Sequence, residues 1–297
     1  MRFTPRTIFV VVFLLLIVGG GFLFWRGNAP KATLPPPPPP ANPDPRQQVI
    51  GTSVEGRKIE ADTFGSGGAT LLFVGGIHGG YEWNSVLLAN QFIDYLKSNP
   101  TLIPEYLTVT VVPDANPDGV FKVIGKEGRF TLVDVPTTTA TAAGRFNANG
   151  VDLNRNFACN WKPQSTWQNK TVSAGTASFS EPEAAAIRDL VLAVKPAAVI
   201  FWHSQSGTVY ASQCKNGILP ATLEIMNAYA KAAKYKTDKS FDSYAITGDA
   251  EGWLASIGIP AITVELQTHN TIEWEQNLSG VKALFGYFRP RNSLPNN

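Results

Sequence analysis

Four short apolar runs recur along the chain, each stopped by glycine, proline or a polar residue: TLLFVGG (70–76), LTVTVVP (107–113), AAVIFWH (197–203) and PAITVEL (260–266). Runs of this length, rich in branched and aromatic residues and lacking an alternating polar face, predict strands buried on both sides, as in a parallel sheet. Between them apolar residues return at helical spacing. NSVLLANQFIDYLKSNP (84–100) predicts a helix ending at Asn99-Pro100, because the residue before a proline is driven out of helical backbone. SEPEAAAIRDLVLAVKP (180–196) predicts a second, opened by a capping box of Ser180 and Glu183. Helical stretches around 219–235 and 249–256 and a closing helix within 272–288 complete the series. From residue 47 to about 290 this alternation predicts one α/β domain: a mostly parallel, twisted mixed sheet flanked by helices.

The first residues follow another pattern. IFVVVFLLLIVGGGFLFW (8–25) is eighteen residues without a charge, with Arg2 and Arg6 before it and Arg26 after it. At 1.5 Å per residue it reaches about 27 Å, close to the hydrocarbon thickness of a bilayer. No small-x-small cleavage site follows Trp25, so the expectation is an uncleaved transmembrane signal anchor rather than a removed signal peptide, whose cleavage would give a secreted form. Six consecutive prolines (35–40) then impose an extended polyproline rod, so residues 26–46 read as a spacer from the membrane. Residues 1–7 would be cytoplasmic and 291–297 a short tail.

Charge narrows the possibilities further. The whole chain carries a formal net charge of +2. Through Arg46 there are five basic residues and one acidic, which leaves the remainder at −2. A nearly neutral domain offers no nucleic-acid surface. Its two cysteines, Cys159 and Cys214, are too few for a disulfide scaffold and lack metal-binding spacing, but they can form one bridge. Cys159 follows the loop of Asn154 and Arg155, and Cys214 lies eleven residues beyond His203. Both loops leave the same end of the predicted sheet, so a disulfide is expected.

In open α/β sheets, ligands bind beyond the carboxyl ends of the strands. His78 follows the first predicted strand, His203 ends the third and Glu265 ends the fourth, so two of the three histidines stand where this architecture builds sites. A catalytic zinc ion takes three protein ligands and keeps a position for water, and a separate carboxylate moves the proton. His78, Glu82, His203 and Glu265 have the chemistry for it. Taken singly they also suit structural roles, a lone histidine in a glycine turn above all.

The wider pattern resembles the zinc carboxypeptidases, the carboxypeptidase A-like metallopeptidases, over about residues 48–288. The segments that carry the resemblance are IGTSVEGRKI (50–59), GGIHGGYE (75–82), NPDG (116–119), GRFNANGVDLNRNF (144–157), SEPE (180–183), FWHS (201–204), YAITGDAEGW (244–253) and ITVEL (262–266). The resemblance implies one zinc ion per chain on His78, Glu82 and His203, with Glu265 as general base and acid. It further implies Arg145 as the group stabilising the oxyanion, Asn154 and Arg155 as holders of a substrate's terminal carboxylate, and Tyr244 as a tyrosine closing over the substrate. Asp152 reads as an orienter rather than a ligand, and His269 as a rim residue. One departure is plain: Tyr81 makes the spacing from His78 to Glu82 four residues, where the family usually has three.

Seven positions after the mobile tyrosine the family places a residue near the floor of its specificity pocket, which here is Glu251. A carboxylate there favours a cationic side chain on the released residue; alternatively, Glu251 faces solvent from the first turn of its helix. The activity implied is hydrolysis of a C-terminal peptide bond in extracytoplasmic peptides. An amidase acting on cell-wall peptides is the alternative, and a tethered, non-catalytic peptide-binding domain is the alternative of another class.

The charge flanking the apolar run places the catalytic domain outside a single-pass cell-membrane anchor. Protease added to intact cells should therefore release the domain; full protection would reverse the topology.

Overall fold

The computed structural model describes residues 44, 46–137 and 141–290. The expected membrane segment at 8–25, nearly all of the proline-rich spacer and the tail at 291–297 lie outside them. Among the described residues no helix is long and apolar enough to cross a membrane.

The described residues form ten strands: β1 (Gln47–Thr52), β2 (Lys58–Gly65), β3 (Ala69–Val74), β4 (Leu107–Val112), β5 (Gln164–Trp167), β6 (Lys170–Ser173), β7 (Ala198–Ser204), β8 (Thr208–Ala211), β9 (Lys236–Asp238) and β10 (Ala261–Leu266). The same residues hold six α-helices: α1 (Trp83–Ser98), α2 (Pro117–Ile124), α3 (Pro182–Val194), α4 (Pro220–Ala233), α5 (Ala250–Ser256) and α6 (Trp274–Tyr287). Eight strands form one mixed sheet in the order β1-β2-β4-β3-β7-β10-β8-β9, while β5 and β6 make a separate hairpin. The four central neighbours, β4, β3, β7 and β10, are parallel, and they are the four apolar runs of the sequence.

Their lack of alternation has a direct cause: both faces are covered. Ile200, Trp202, Ile262, Val264 and Leu266 pack with Leu88 and Phe92 of α1, Tyr229 of α4 and Leu284 of α6. On the other face Leu72, Val74, Val199 and Phe201 meet Ile187 and Val191 of α3 and Trp253 and Leu254 of α5. At about 1.5–3 kcal/mol per fully buried large aliphatic or aromatic side chain, two such cores outweigh local propensity.

The antiparallel edges are less evident in the sequence. β1 is largely exposed and β2 alternates buried with exposed residues, so neither shows a long apolar run. The segment NPDG opens a helix. The Asn116 side chain accepts from the Gly119 amide at 2.9 Å and caps α2, with Pro117 in its first position.

The expected capping box at Ser180 and Glu183 is not formed. Pro182 begins α3, Glu181 stands at the N-cap, and no side chain caps the helix. The Ser180 hydroxyl donates instead to Glu181 Oε1 at 2.8 Å. Glu181 and Glu183 both accept from the Asn147 side chain, at 2.8 and 3.1 Å, and Glu183 also accepts from the Val54 amide at 3.1 Å. Glu183, expected in the capping box, and its neighbour Glu181 therefore tie α3 to the loop at 144–157.

The expected bridge between Cys159 and Cys214 is present, with a Cα–Cα distance of 6.2 Å across a sequence separation of 55. Closing a loop of that length removes denatured-state entropy worth up to about 4 kcal/mol. Replacing both cysteines with alanine should lower unfolding stability by about 2–4 kcal/mol in denaturant titrations. Two free thiols in the non-reduced protein by mass spectrometry would contradict the bridge.

Candidate metal and active site

Side chains alternate along a strand, so Val199, Phe201 and His203 of β7 share one face, as do Ala261, Thr263 and Glu265 of β10. The two strands pair in parallel with His203 directly opposite Glu265. On each strand an apolar stripe thus continues into a polar group near the carboxyl end. His78 arrives differently. β3 ends at Val74, and Gly76 (φ 69°) and Gly79 (φ 46°) reverse the backbone before a 3-10 turn at Gly79–Glu82. A Cβ on Gly79 would stand 2.6 Å from the Gly144 carbonyl oxygen, so only glycine lets this turn press against the Arg145 loop. The turn also absorbs the additional Tyr81.

The three expected ligands meet. His78, Glu82 and His203 are all buried, and each offers one ligand atom within 4.8 Å of the others. His203 Nδ1 is 3.0 Å from Glu82 Oε2, which also accepts from the Ser204 amide at 3.2 Å. His78 Nε2 is 4.0 Å from Glu82 Oε1. Among the described residues this is the one group of three or more His, Cys, Asp or Glu that could hold a metal ion.

The electrostatics explain why a cation suits it. Burial first, and then the positive charge of Arg145, holds His78 well below its ordinary pKa. Burial works against a charge on His203 too, but Glu82 and Glu251 overcome it and raise that imidazole well above its ordinary range. Burial and then the Glu82 charge push the Glu265 carboxyl up to about 8. Buried carboxylates are costly unless paired or bound to a metal. Glu265 Oε2 is buried without a hydrogen-bond partner. Two imidazoles and one carboxylate are the donor set of a catalytic zinc ion, so the residues fit one.

The other expected residues line the same cavity, which measures about 600 Å³. Arg145 Nε donates to Asp152 Oδ2 at 2.8 Å, and the guanidinium lies 4.7 Å from the Trp167 ring centre. Asp152, expected as an orienter, has Oδ1 3.6 Å from His78 Nδ1, within ion-pair distance but without a hydrogen bond between them. Asn154 Oδ1 accepts from the Ala250 amide at 2.8 Å, so its side chain also fixes the start of α5. Arg155 is almost fully buried, and its guanidinium donates only to backbone carbonyls, those of Thr166 and Asn154. Tyr244 is half-buried, with its ring 6.0 Å from the Arg155 guanidinium.

Glu251 does not face solvent: it is buried, with Oε1 3.2 Å from His203 Nε2. His269 lines the cavity outside the ligand group, its ring tilted at 58° to that of Tyr81 with the centres 4.7 Å apart. Ser204 and Asn84 were not foreseen. The Ser204 hydroxyl donates to Asn84 Oδ1 at 2.9 Å and meets His269 Nδ1 at 2.8 Å, and Asn84 donates to the carbonyls of Thr268 and Thr271. This network pins the segment after β10 beside β7. The one sequence signal for it was the position of Ser204 next to His203.

Residues 41–296 match the family described as zinc carboxypeptidase. The γ-D-glutamyl-L-diamino acid endopeptidase 1 of Lysinibacillus sphaericus is 28% identical over 238 residues, which is 73% of this chain and 59% of that protein. Murein peptide amidase A of Escherichia coli K12 is 31% identical over 160 residues, 50% of this chain and 62% of that protein. The chain therefore spans about three fifths of the length of these relatives. A crystal structure of the murein-tripeptide amidase from Escherichia coli O157 shares the fold, with a TM-score of 0.60, 23% identity, and coverage of 84% of this chain and 94% of that one.

Replacing His78 or His203 with alanine should weaken zinc binding by at least about 100-fold, more than the loss of a residue that merely supports a ligand. Metal analysis of the purified variants checks this. Stoichiometric zinc retained by both would place the metal elsewhere.

Proposed function

Since the chain belongs to the zinc carboxypeptidase family, we propose that it hydrolyses the amide bond before a terminal, carboxylate-bearing residue, with bacterial cell-wall peptides as its substrates. The carrying observation is Arg155. A buried guanidinium that donates only to carbonyls, in the same cavity as the three side chains that could hold a metal, has no carboxylate within ion-pair distance among the described residues. A substrate carboxylate supplies that partner in the planar geometry guanidinium prefers.

Bound zinc supplies Lewis acidity and lowers the pKa of a water molecule. The chain supplies the rest. Glu265 takes the proton of the attacking water and passes it to the leaving nitrogen, and its Oε2, which has no hydrogen-bond partner among the described residues, is free for both transfers. Arg145, held by Asp152, faces the charge that develops on the carbonyl oxygen. Arg155, with Asn154 beside it, anchors the released residue, and Tyr244 covers it.

One bacterial relative named as a murein peptide amidase and another named as a γ-D-glutamyl-L-diamino acid endopeptidase support the substrate class. The buried Glu251 in the cavity wall supports a cationic side chain on the released residue, as a diamino acid provides. An apolar anchor at 8–25 would hold the domain beside the wall, and a disulfide suits that oxidising exterior. The carboxypeptidase reading, with free extracytoplasmic peptides as substrates, shares every catalytic group and is favoured by the family description. A purely peptide-binding role leaves the unpartnered Glu265 beside the ligand set without a purpose.

The test compares kcat/KM of the zinc-loaded protein for a γ-D-glutamyl-diamino acid peptide against ordinary peptides ending in Lys, Arg, Phe or Leu. The expected order places the cell-wall peptide first, then Lys and Arg. Glu265→Gln should keep zinc and lose about 10²–10⁴-fold in kcat. Cleavage of ordinary peptides alone would give the carboxypeptidase reading, and no zinc-dependent turnover of either would overturn both.

A further inference from the structure

The His203 ring lies between two carboxylates. Its Nδ1 is 3.0 Å from Glu82, on the ligand side, and its Nε2 is 3.2 Å from Glu251 Oε1, within ion-pair distance although off the line of an ideal hydrogen bond. Glu251 is only 4% exposed, and its Oε1 also accepts from Thr263 Oγ1 at 3.0 Å. Thr263 belongs to β10 and stands two residues before Glu265 on the same face. The backbone that carries Glu251 is fixed from two directions. Asp249 caps α5 by accepting from the Gly252 amide at 2.7 Å, and Asn154 accepts from the Ala250 amide at 2.8 Å.

His78 has a similar partner. Its Nδ1 is 3.6 Å from Asp152, whose other oxygen takes the Arg145 bond at 2.8 Å, while its Nε2 faces Glu82. Each ligand imidazole therefore has a buried carboxylate on the nitrogen turned away from Glu82. An imidazole that binds a cation through one nitrogen carries its proton on the other. A carboxylate there fixes the tautomer, holds the ring plane and makes the ligating nitrogen more basic.

We propose that Glu251 is a positioning residue for His203, holding the Nε2 proton so that Nδ1 is presented to the metal, whatever contact it also makes with substrate. The side chain reaches His203 from a separate helix, so the pairing depends on the anchoring of α5 by Asn154 and Asp249. This inference rests on the zinc-hydrolase reading of the site.

The experiment measures zinc affinity by competition with a chromophoric chelator at fixed pH, and the visible spectrum of the cobalt-substituted protein, for wild type, Glu251→Ala, Glu251→Gln and Thr263→Val. Folding is checked by near-ultraviolet circular dichroism. Glu251→Ala should weaken zinc binding by about 10–100-fold and alter the cobalt spectrum. Glu251→Gln, which keeps an acceptor for Nε2, should restore most of the affinity; Thr263→Val, which frees Oε1 without touching His203, should cost less than Glu251→Ala. If Glu251→Ala fails to fold, Glu251→Leu, which keeps the side-chain volume but offers Nε2 no acceptor, decides in its place and should lose zinc affinity to a similar extent. Wild-type affinity in a folded Glu251→Ala or Glu251→Leu protein overturns the inference and leaves the zinc site standing. Failure of the wild type to bind zinc overturns the underlying reading instead.

Discussion

The pairing of β7 with β10 is the constraint on which the site depends, because it sets His203 opposite Glu265 with backbone hydrogen bonds rather than side-chain contacts. A slip of one residue would turn every side chain of one strand to the other face. His203 would then enter the helix-packed core, and Trp202 would leave it. The core on both faces therefore protects the spacing between a ligand and the proposed base. Around this fixed pair the remaining groups come from elsewhere: Glu82 from a glycine turn, Glu251 from α5, and Arg145 and Arg155 from the long loop before α3.

Charge explains why these loops settle where they do. Glu82, Asp152, Asp249 and Glu251 are carboxylates removed from most solvent, beside two buried guanidinium groups and two imidazoles. Burial, with the Glu251 charge adding to it, pushes Asp249 up to about 6. Such an assembly is tolerable because most members have partners: Asp152 holds Arg145, Glu251 holds His203 and Thr263, and Glu82 spans both imidazoles. Among the described residues Arg155 donates to carbonyls but has no carboxylate within ion-pair distance, and Glu265 Oε2 has no hydrogen-bond partner. Those are the groups a carboxylate-ended substrate and a water molecule would meet.

Much of this was legible in the sequence, for identifiable reasons. β3, β4, β7 and β10 are buried on both faces, so they read as apolar runs, and the strand-end rule then located His78, His203 and Glu265. β1 and β2 were not delineated because an exposed edge and an alternating strand bury too little to stand out. The box at Ser180 and Glu183 was misread because Pro182 sets the helix start, and long-range bonds to Asn147 and Val54 take up the carboxylates. The contact of Glu251 with His203 could not be read at all. It joins residues 48 positions apart through the placement of a short helix that only tertiary packing determines.

The central claim is that His78, Glu82 and His203 bind one zinc ion with Glu265 beside it. X-ray diffraction from crystals grown with zinc, recorded at the zinc absorption edge, tests this most directly. A single strong anomalous peak per chain is expected, bounded by an imidazole nitrogen of each histidine and the Glu82 carboxylate, with Glu265 nearby and not coordinating. A peak at His269, or none within this group, would contradict it.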